Sequence, residues 1–164
     1  MNEKLSNTTI DQDAQSLEAI EVAVNTLASV FHEEWRKTRL QEDGSYEERV
    51  KPTTDTSWIE AHGTDQVDIA NTEYSDLPAD WQSENKDAAT VVVDIIASRN
   101  GNIDLSDEST RNEVGATIHD AWLSRNEWAK GGELDVPFIE LSAVEQAKDI
   151  DQVRAAQQVF DIEQ

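Results

Sequence analysis

Phe31-His32-Glu33-Glu34-Trp35 and Ile118-His119-Asp120-Ala121-Trp122 are the stretches on which the reading of this chain turns. Each runs apolar residue, histidine, acid, variable residue, tryptophan. Positions three apart on a helix are neighbours, so each histidine lies beside its tryptophan on one face. A second pair of segments follows in the same order: Tyr74-Ser75-Asp76-Leu77-Pro78-Ala79 is matched by Phe138-Ile139-Glu140-Leu141-Ser142-Ala143. The register continues with Gln82 facing Gln146 and Asp87 facing Asp151. The first pair is offset by 87 positions and the second by 64, so the first copy holds a loop longer by 23 residues. Two matches in the same order, each opening or closing a helix, point to an internal duplication. A helix, a loop and a second helix bury too little alone, so the two units are expected to share one core about a pseudo-twofold axis.

Outward from these segments the periodicity predicts four main helices. Leu17, Ile20, Val24, Leu27, Phe31 and Trp35 recur three or four apart and mark one face of a helix from Ile10 to about Arg39. The first eight residues are expected to fray. From Gln41 to Glu73 the pattern fails, with Gly44, Pro52 and Gly63 among many Asp, Thr and Ser residues. Loops of that length are uncommon without a purpose, and this one has room for a short hairpin or an ordered loop pinned by Trp58. The second helix opens near Pro78, buries Trp81, Ala88, Val91, Val92, Ile95 and Ile96, and stops at Asn100-Gly101. The third opens with the Thr110-Arg111-Asn112-Glu113 capping box, buries Val114, Ile118, Ala121 and Trp122, and ends by Gly131-Gly132. The fourth opens with Ser142-Ala143-Val144-Glu145 and runs to about Phe160 through Val144, Ala147, Ile150 and Val153. The expected fold is therefore all-α: two pseudo-symmetric helix-loop-helix units on a shared core, with a long irregular loop at 41–73. The units divide at 1–101 and 102–164 and form one compact structural domain.

Composition narrows the function. The chain has 164 residues, 35 acidic and 13 basic, for a formal net charge of -22, and no cysteine. Its mean hydropathy is -0.65. Binding nucleic acid or an anionic membrane needs Lys and Arg to displace counterions, and the longest basic cluster is Arg36-Lys37 with Arg39. Direct nucleic-acid binding is therefore not expected, and no apolar run is long enough to span a membrane. Without cysteine there are no disulfides, thiolate nucleophiles or Cys-ligated zinc. Met1 to Asn7 lacks the basic-then-apolar pattern of a signal peptide, so a cytoplasmic protein is expected. An acidic surface keeps a protein soluble, attracts a basic partner or imitates DNA.

The repeated segments resemble the repeat domain of ryanodine receptors, which also occurs in bacterial and phage proteins. In that family a histidine and a tryptophan three apart lie on one helix. A loop of variable length then leads to an aromatic-x-x-Leu segment, often after proline, and to a second helix rich in Glu, Lys and Asp. The second copy is the closer fit: His119, Trp122 and Arg125-Asn126, then Pro137-Phe138-Ile139-Glu140-Leu141, then Glu145, Lys148 and Asp149. In the first copy His32, Trp35, Tyr74, Leu77 and Pro78 match, while Trp81 to Lys86 departs from the acidic-lysine spacing. The resemblance covers about two thirds of the chain. It implies a tandem of helical pairs serving as a scaffold or regulatory module, which argues against catalysis.

The candidate ligand-binding residues are His32, Trp35 and Tyr74 in the first unit and His119, Trp122 and Phe138 in the second. Their structural role is tryptophan in the core and histidine donating to a loop carbonyl or carboxylate. Their functional role is an aromatic pocket that stacks a planar, nucleotide-like ligand. The enzymatic alternative is a metal-dependent helical phosphohydrolase using His119-Asp120 with His32, His62, Asp149 and Asp151. Adjacent helical residues point about 100° apart, however. Nor is there a His-Glu-x-x-His motif; Glu84-x-x-Asp87 is one carboxylate pair at pyrophosphatase spacing, and Glu145-x-x-x-Asp149 is off register. No Gly-x-Ser-x-Gly elbow, phosphate loop or dinucleotide fingerprint is present. The expected function is a non-enzymatic binding or regulatory module of bacterial or phage type. It carries no cofactor or catalytic residue, its partner is a protein with a basic surface, and DNA mimicry is the sharpest form. Small-ligand sensing is the alternative.

Overall fold

A computed structural model describes residues 2–160, with side chains from Leu17 onward. Five α-helices and one small sheet make up the described chain: α1 (Asn2–Lys37), β1 (Val50–Pro52), α2 (Thr56–His62), β2 (Gln66–Asp68), α3 (Ala79–Ser98), α4 (Glu108–Arg125) and α5 (Ala143–Val159). The mostly helical expectation holds. One hydrophobic cluster draws on all four long helices: Leu27 and Ala28 from α1, Ala89, Val92 and Ile95 from α3, Val114 and Ile118 from α4, and Ile150, Val153 and Ala156 from α5. Helix α1 packs along α3, α4 packs against α3 and α5, and α5 also touches α1 and α3.

Several boundaries differ from the expected ones. Helix α1 starts at Asn2 rather than Ile10, and the first eight residues, Met1 aside, belong to it. The 41–73 segment is not irregular throughout. It holds an antiparallel β1–β2 pair, Val50 facing Asp68, with α2 between the strands, so the helices number five and not four. Helix α2 forms because Asp55 caps it, its side chain accepting from Trp58 N, and Gly63 closes it in the left-handed region at φ 72°. Pro78 stands just before α3 rather than inside its first turn. Asp107, not Thr110, caps α4 and accepts from Thr110 N at 3.1 Å. Aspartate caps as well as threonine, and Glu113 is paired with Arg99 at 2.8 Å instead of closing a box. Helix α4 ends at Arg125, six residues before Gly131, because the Asn126 amide turns back to Trp122 O at 2.8 Å. The Asn100-Gly101 stop and the Ser142 cap are as expected: Gly101 N bonds Ile96 O at 2.9 Å, and Ser142 Oγ accepts from Glu145 N.

The apolar stripe on α1 also reaches further than its cover. Leu17 is 65% exposed and Ile20 is exposed beside it, although both lie on the face that buries Leu27. Val144, expected in the core, is 69% exposed. Among the described residues no helix is long and apolar enough to cross a membrane.

Candidate functional site

The two histidines are built in the same way. His32 on α1 is buried, and its Nε2 donates to Thr72 O at 2.7 Å. His119 on α4 is equally buried, and its Nε2 is shared between Val136 O at 2.8 Å and Leu134 O at 3.0 Å. Carbonyls only accept, so Nε2 carries the proton in both. Thr72 and Val136 correspond at the 64-residue offset found in the sequence. Each histidine lies nearly parallel to its tryptophan, His32 to Trp35 with ring centroids 5.8 Å apart and His119 to Trp122 at 6.1 Å. Burial holds the His32 imidazole below its ordinary pKa, outweighing its hydrogen bond to Thr72 and the nearby Glu33.

The segments that follow share their main hydrogen bonds, with one from Gln146 Nε2 to Leu141 O added in the second unit. Tyr74–Asp76 and Phe138–Glu140 each form a single 3-10 turn. Gln82 Nε2 donates to Tyr74 O and Ser75 O, and Gln146 Nε2 donates to Phe138 O and Ile139 O. Tyr74 and Phe138 are core residues rather than pocket walls. Phe138 lies so close to Gly115 that a Cβ there would clash with the tip of its ring. The corresponding residue in the first unit is Ala28, which is fully buried.

Arg36 and Arg39 do work that their sequence pattern does not announce. Arg36 is buried; its Nε donates to Ala70 O at 2.8 Å, its Nη1 pairs with Glu33 at 2.8 Å, and its guanidinium sits 4.4 Å from the Tyr46 ring centroid. Arg39 donates to Glu47 O and Glu48 O. The basic cluster thus holds the long loop onto α1. At the far end of that loop, Asp80 accepts from Thr53 Oγ1 and Thr54 N, and Trp81 Nε1 donates to Pro52 O. Partial burial pushes the Asp80 carboxyl upward, but these bonds and one from Trp81 N outweigh it and leave it below its ordinary value.

A cleft of about 280 Å³ opens between α4 and α5, lined by His119, Trp122, Leu134, Leu141, Glu145, Lys148, Asp149 and Gln152. Of the six candidate ligand residues, it brings together His119 and Trp122 only. Burial pushes the Asp149 carboxyl up to about 6, with Glu145 adding to the rise and His119 and Lys148 opposing it. Lys148 is tied to Glu145 at 2.9 Å. Sequence reading used Asp149 in the acidic-lysine pattern of the second copy and as a phosphohydrolase ligand, and passed over Gln152; their spacing of three on one helix was the available signal.

The hydrolase constellation is not assembled. His119 is buried while Asp120 is exposed, and His62 is exposed at the end of α2, where its Nδ1 bonds Trp58 O and its ring stacks on Trp58 at 3.9 Å. Among the described residues no group of three or more His, Cys, Asp or Glu is placed to hold a metal ion. Family models, curated proteins and solved structures were compared with the chain, and none matches it.

Proposed function

We propose that the chain is a non-enzymatic binding or regulatory module whose acidic surface engages a protein with a basic patch. The observation that carries this reading is where the cations go. Arg36, Lys37, Arg39, Arg99, Lys148 and Arg154 each pair with an acid of this same chain, and those pairs use six of its 35 acids. The acids far outnumber these pairs, and a net charge of -22 repels polyanions and steers a polycation. The architecture we propose is two degenerate copies of one helix-loop-helix unit related by a pseudo-twofold axis, of the ryanodine-receptor repeat kind. The matched histidine, glutamine and 3-10 turn bonds support it.

Calorimetric titration of the intact chain against a panel of purified DNA-binding proteins, with and without duplex DNA, tests the reading. A saturable 1:1 complex that 300 mM NaCl weakens supports a protein partner, and its displacement by DNA identifies mimicry. Weak binding to every basic protein alike, without a stoichiometry, would reduce the surface to a solvated acidic face. The second reading, a small ligand beside His119 and Trp122, is favoured by the cleft those residues line. It predicts saturable ligand binding that Trp122→Ala abolishes in a still-folded chain.

A further inference from the structure

Two residues on the α5 wall of the cleft between α4 and α5 carry acceptors that no donor among the described residues meets. Asp149 and Gln152 stand one helical turn apart on α5, and both line the cleft. Asp149 takes part in no hydrogen bond or ion pair among the described residues, although it is partly buried. Gln152 Oε1 is buried without a partner. Buried polar groups are almost always satisfied, and a half-buried carboxylate without a partner is costlier still. Two such groups on one wall mark a place for a donor that the chain itself does not supply.

The surrounding side chains say which donor. Leu134 and Leu141 are apolar, Trp122 adds an indole, and the carboxylates are Glu145 and Asp149. The one cation in the lining, Lys148, is committed to Glu145. An anion would meet net negative charge. An ammonium presents its three donors from one point and holds its water strongly. A guanidinium is planar, less strongly hydrated, and spreads five donors over a rigid fork, so one ion reaches two acceptors a turn apart while its face lies against an indole. We infer that the cleft receives an alkylguanidinium, its N–H groups donating to Asp149 and Gln152 beside Trp122. The occupant is an arginine side chain of the basic protein partner, so the inference rests on the reading above and gives it an anchor point.

The first unit offers no second copy of this arrangement. At the 64-residue offset Asn85 stands where the second unit has Asp149, Ala88 where it has Gln152, and Trp81 where it has Glu145. Asn85 is turned inward, donating from Nδ2 to Trp81 O at 3.2 Å. The charge and the second acceptor are both missing there, so one guanidinium binds per chain.

The test is a titration of the isotopically labelled intact protein, followed by amide and indole NMR signals at pH 7.5 and 150 mM NaCl. The probes are Nα-acetyl-arginine N-methylamide, its lysine counterpart of equal charge, and a blocked arginine tripeptide with alanine neighbours. The expected result is saturable change at the Trp122 indole and at residues 145–152. Affinity should be at least tenfold weaker in Asp149→Asn and at least threefold weaker for the lysine compound. Asp149→Asn copies the residue the first unit already uses and removes a buried charge, so it folds; Gln152→Leu provides a second variant with an intact charge and a weaker site. Equal changes in wild type and Asp149→Asn, or unsaturable changes scattered over the acidic surface, would overturn the site. Binding of the single-residue probe but not of the tripeptide would overturn the protein-borne occupant. Loss of the cleft site while basic proteins still bind 1:1 would sink this inference and leave the acidic-surface reading standing; the opposite pattern would separate them the other way.

Discussion

In the first half of the molecule Arg36, in the last turn of α1, and Arg39, just past its end, reach into the loop that follows, whereas the corresponding positions in the second half are Leu123 and Asn126. The second loop closes on itself: Asn126 caps its own helix, and Gly131 N bonds Asp135 Oδ2 at 2.9 Å. The first loop is 23 residues longer and carries a strand pair and a helix. Lengthening a loop costs little chain entropy, but every added carbonyl and amide that is shielded from water needs a partner. Ala70 O, Glu47 O, Glu48 O and Pro52 O obtain theirs from Arg36, Arg39 and Trp81. The insertion is held by donors on or next to the helices that flank it, so what it added in length it secured in hydrogen bonds.

The comparison breaks most visibly at the turn aromatics. Phe138 is 1% exposed, and Phe138→Ala should cost about 3–5 kcal/mol in urea unfolding. Gly115→Ala should cost about 1–3 kcal/mol, because the new methyl meets the Phe138 ring. In the Phe138→Ala background the same change should be neutral or stabilising, since alanine is about 1 kcal/mol the better helix former. Additive costs would mean that the ring and the glycine do not touch. At the corresponding position of the first unit stands Ala28, which is in the same buried cluster as Tyr74.

Next in size is the loop anchor. Arg36→Ala leaves Ala70 O without its donor and removes the cation from the Tyr46 ring, a loss of about 2–3 kcal/mol. Limited proteolysis should then cut within 41–73 while α4 and α5 stay intact. Cuts spread over both halves would show that Arg36 supports the whole core and not the loop.

Asp149 sharpens the comparison in the opposite direction. A carboxyl that titrates near 6 in the folded chain and at 3.8 when unperturbed opposes folding once it ionises. The penalty is absent below pH 3.8, grows as the pH rises toward 6 and is constant above. Solvent at the mouth of the cleft screens it, leaving about 1–2 kcal/mol. Asp149→Asn should therefore be the more stable protein at pH 7.5 and should converge on wild type near pH 3.5. Asn85→Asp should destabilise at neutral pH. A variant no more stable than wild type at pH 7.5 would mean that Asp149 is paired in solution.

The histidines give the smallest effect. His32→Gln should cost about 1 kcal/mol through the weakened bond to Thr72 O. Because burial lowers its folded pKa below 6.5, the His32 contribution is complete above that value and is lost as the pH falls beneath it. Thermal melts of wild type and His32→Gln between pH 8 and 5 should draw together; parallel curves would show an imidazole that is free to protonate in the folded chain.

Much of the fold was legible because its signals are local. The His-x-x-Trp pairs, the Ser142 cap and the Asn100-Gly101 stop involve residues within five positions of one another, where spacing and chemistry speak directly. Helix α2 was legible in principle, since Asp55 and Gly63 frame it, but it is seven residues long and buries none, so periodicity is silent. Arg36 was read only as part of the longest basic cluster, because its partner carbonyl is 34 residues away. The periodic face of α1 was real at Leu17 and Ile20, yet periodicity says which residues share a face and not what covers it. The cleft was hidden for the same reason: Asp149 is perturbed by burial that arises only when α5 meets α4 and the 127–137 loop.

Asp55 closes two helices with one carboxylate. Its Oδ1 accepts from Trp58 N at the start of α2, and its Oδ2 accepts from Ala79 N at the start of α3. Those two hydrogen bonds hold its carboxyl below the ordinary range. A helix that frays from its N-terminus does so independently of its neighbours only when its cap is its own. Here the cap is shared, so the insert and the helix behind it open and close as one cooperative unit, with the Trp58 and Ala79 amides exchanging with solvent at a common rate.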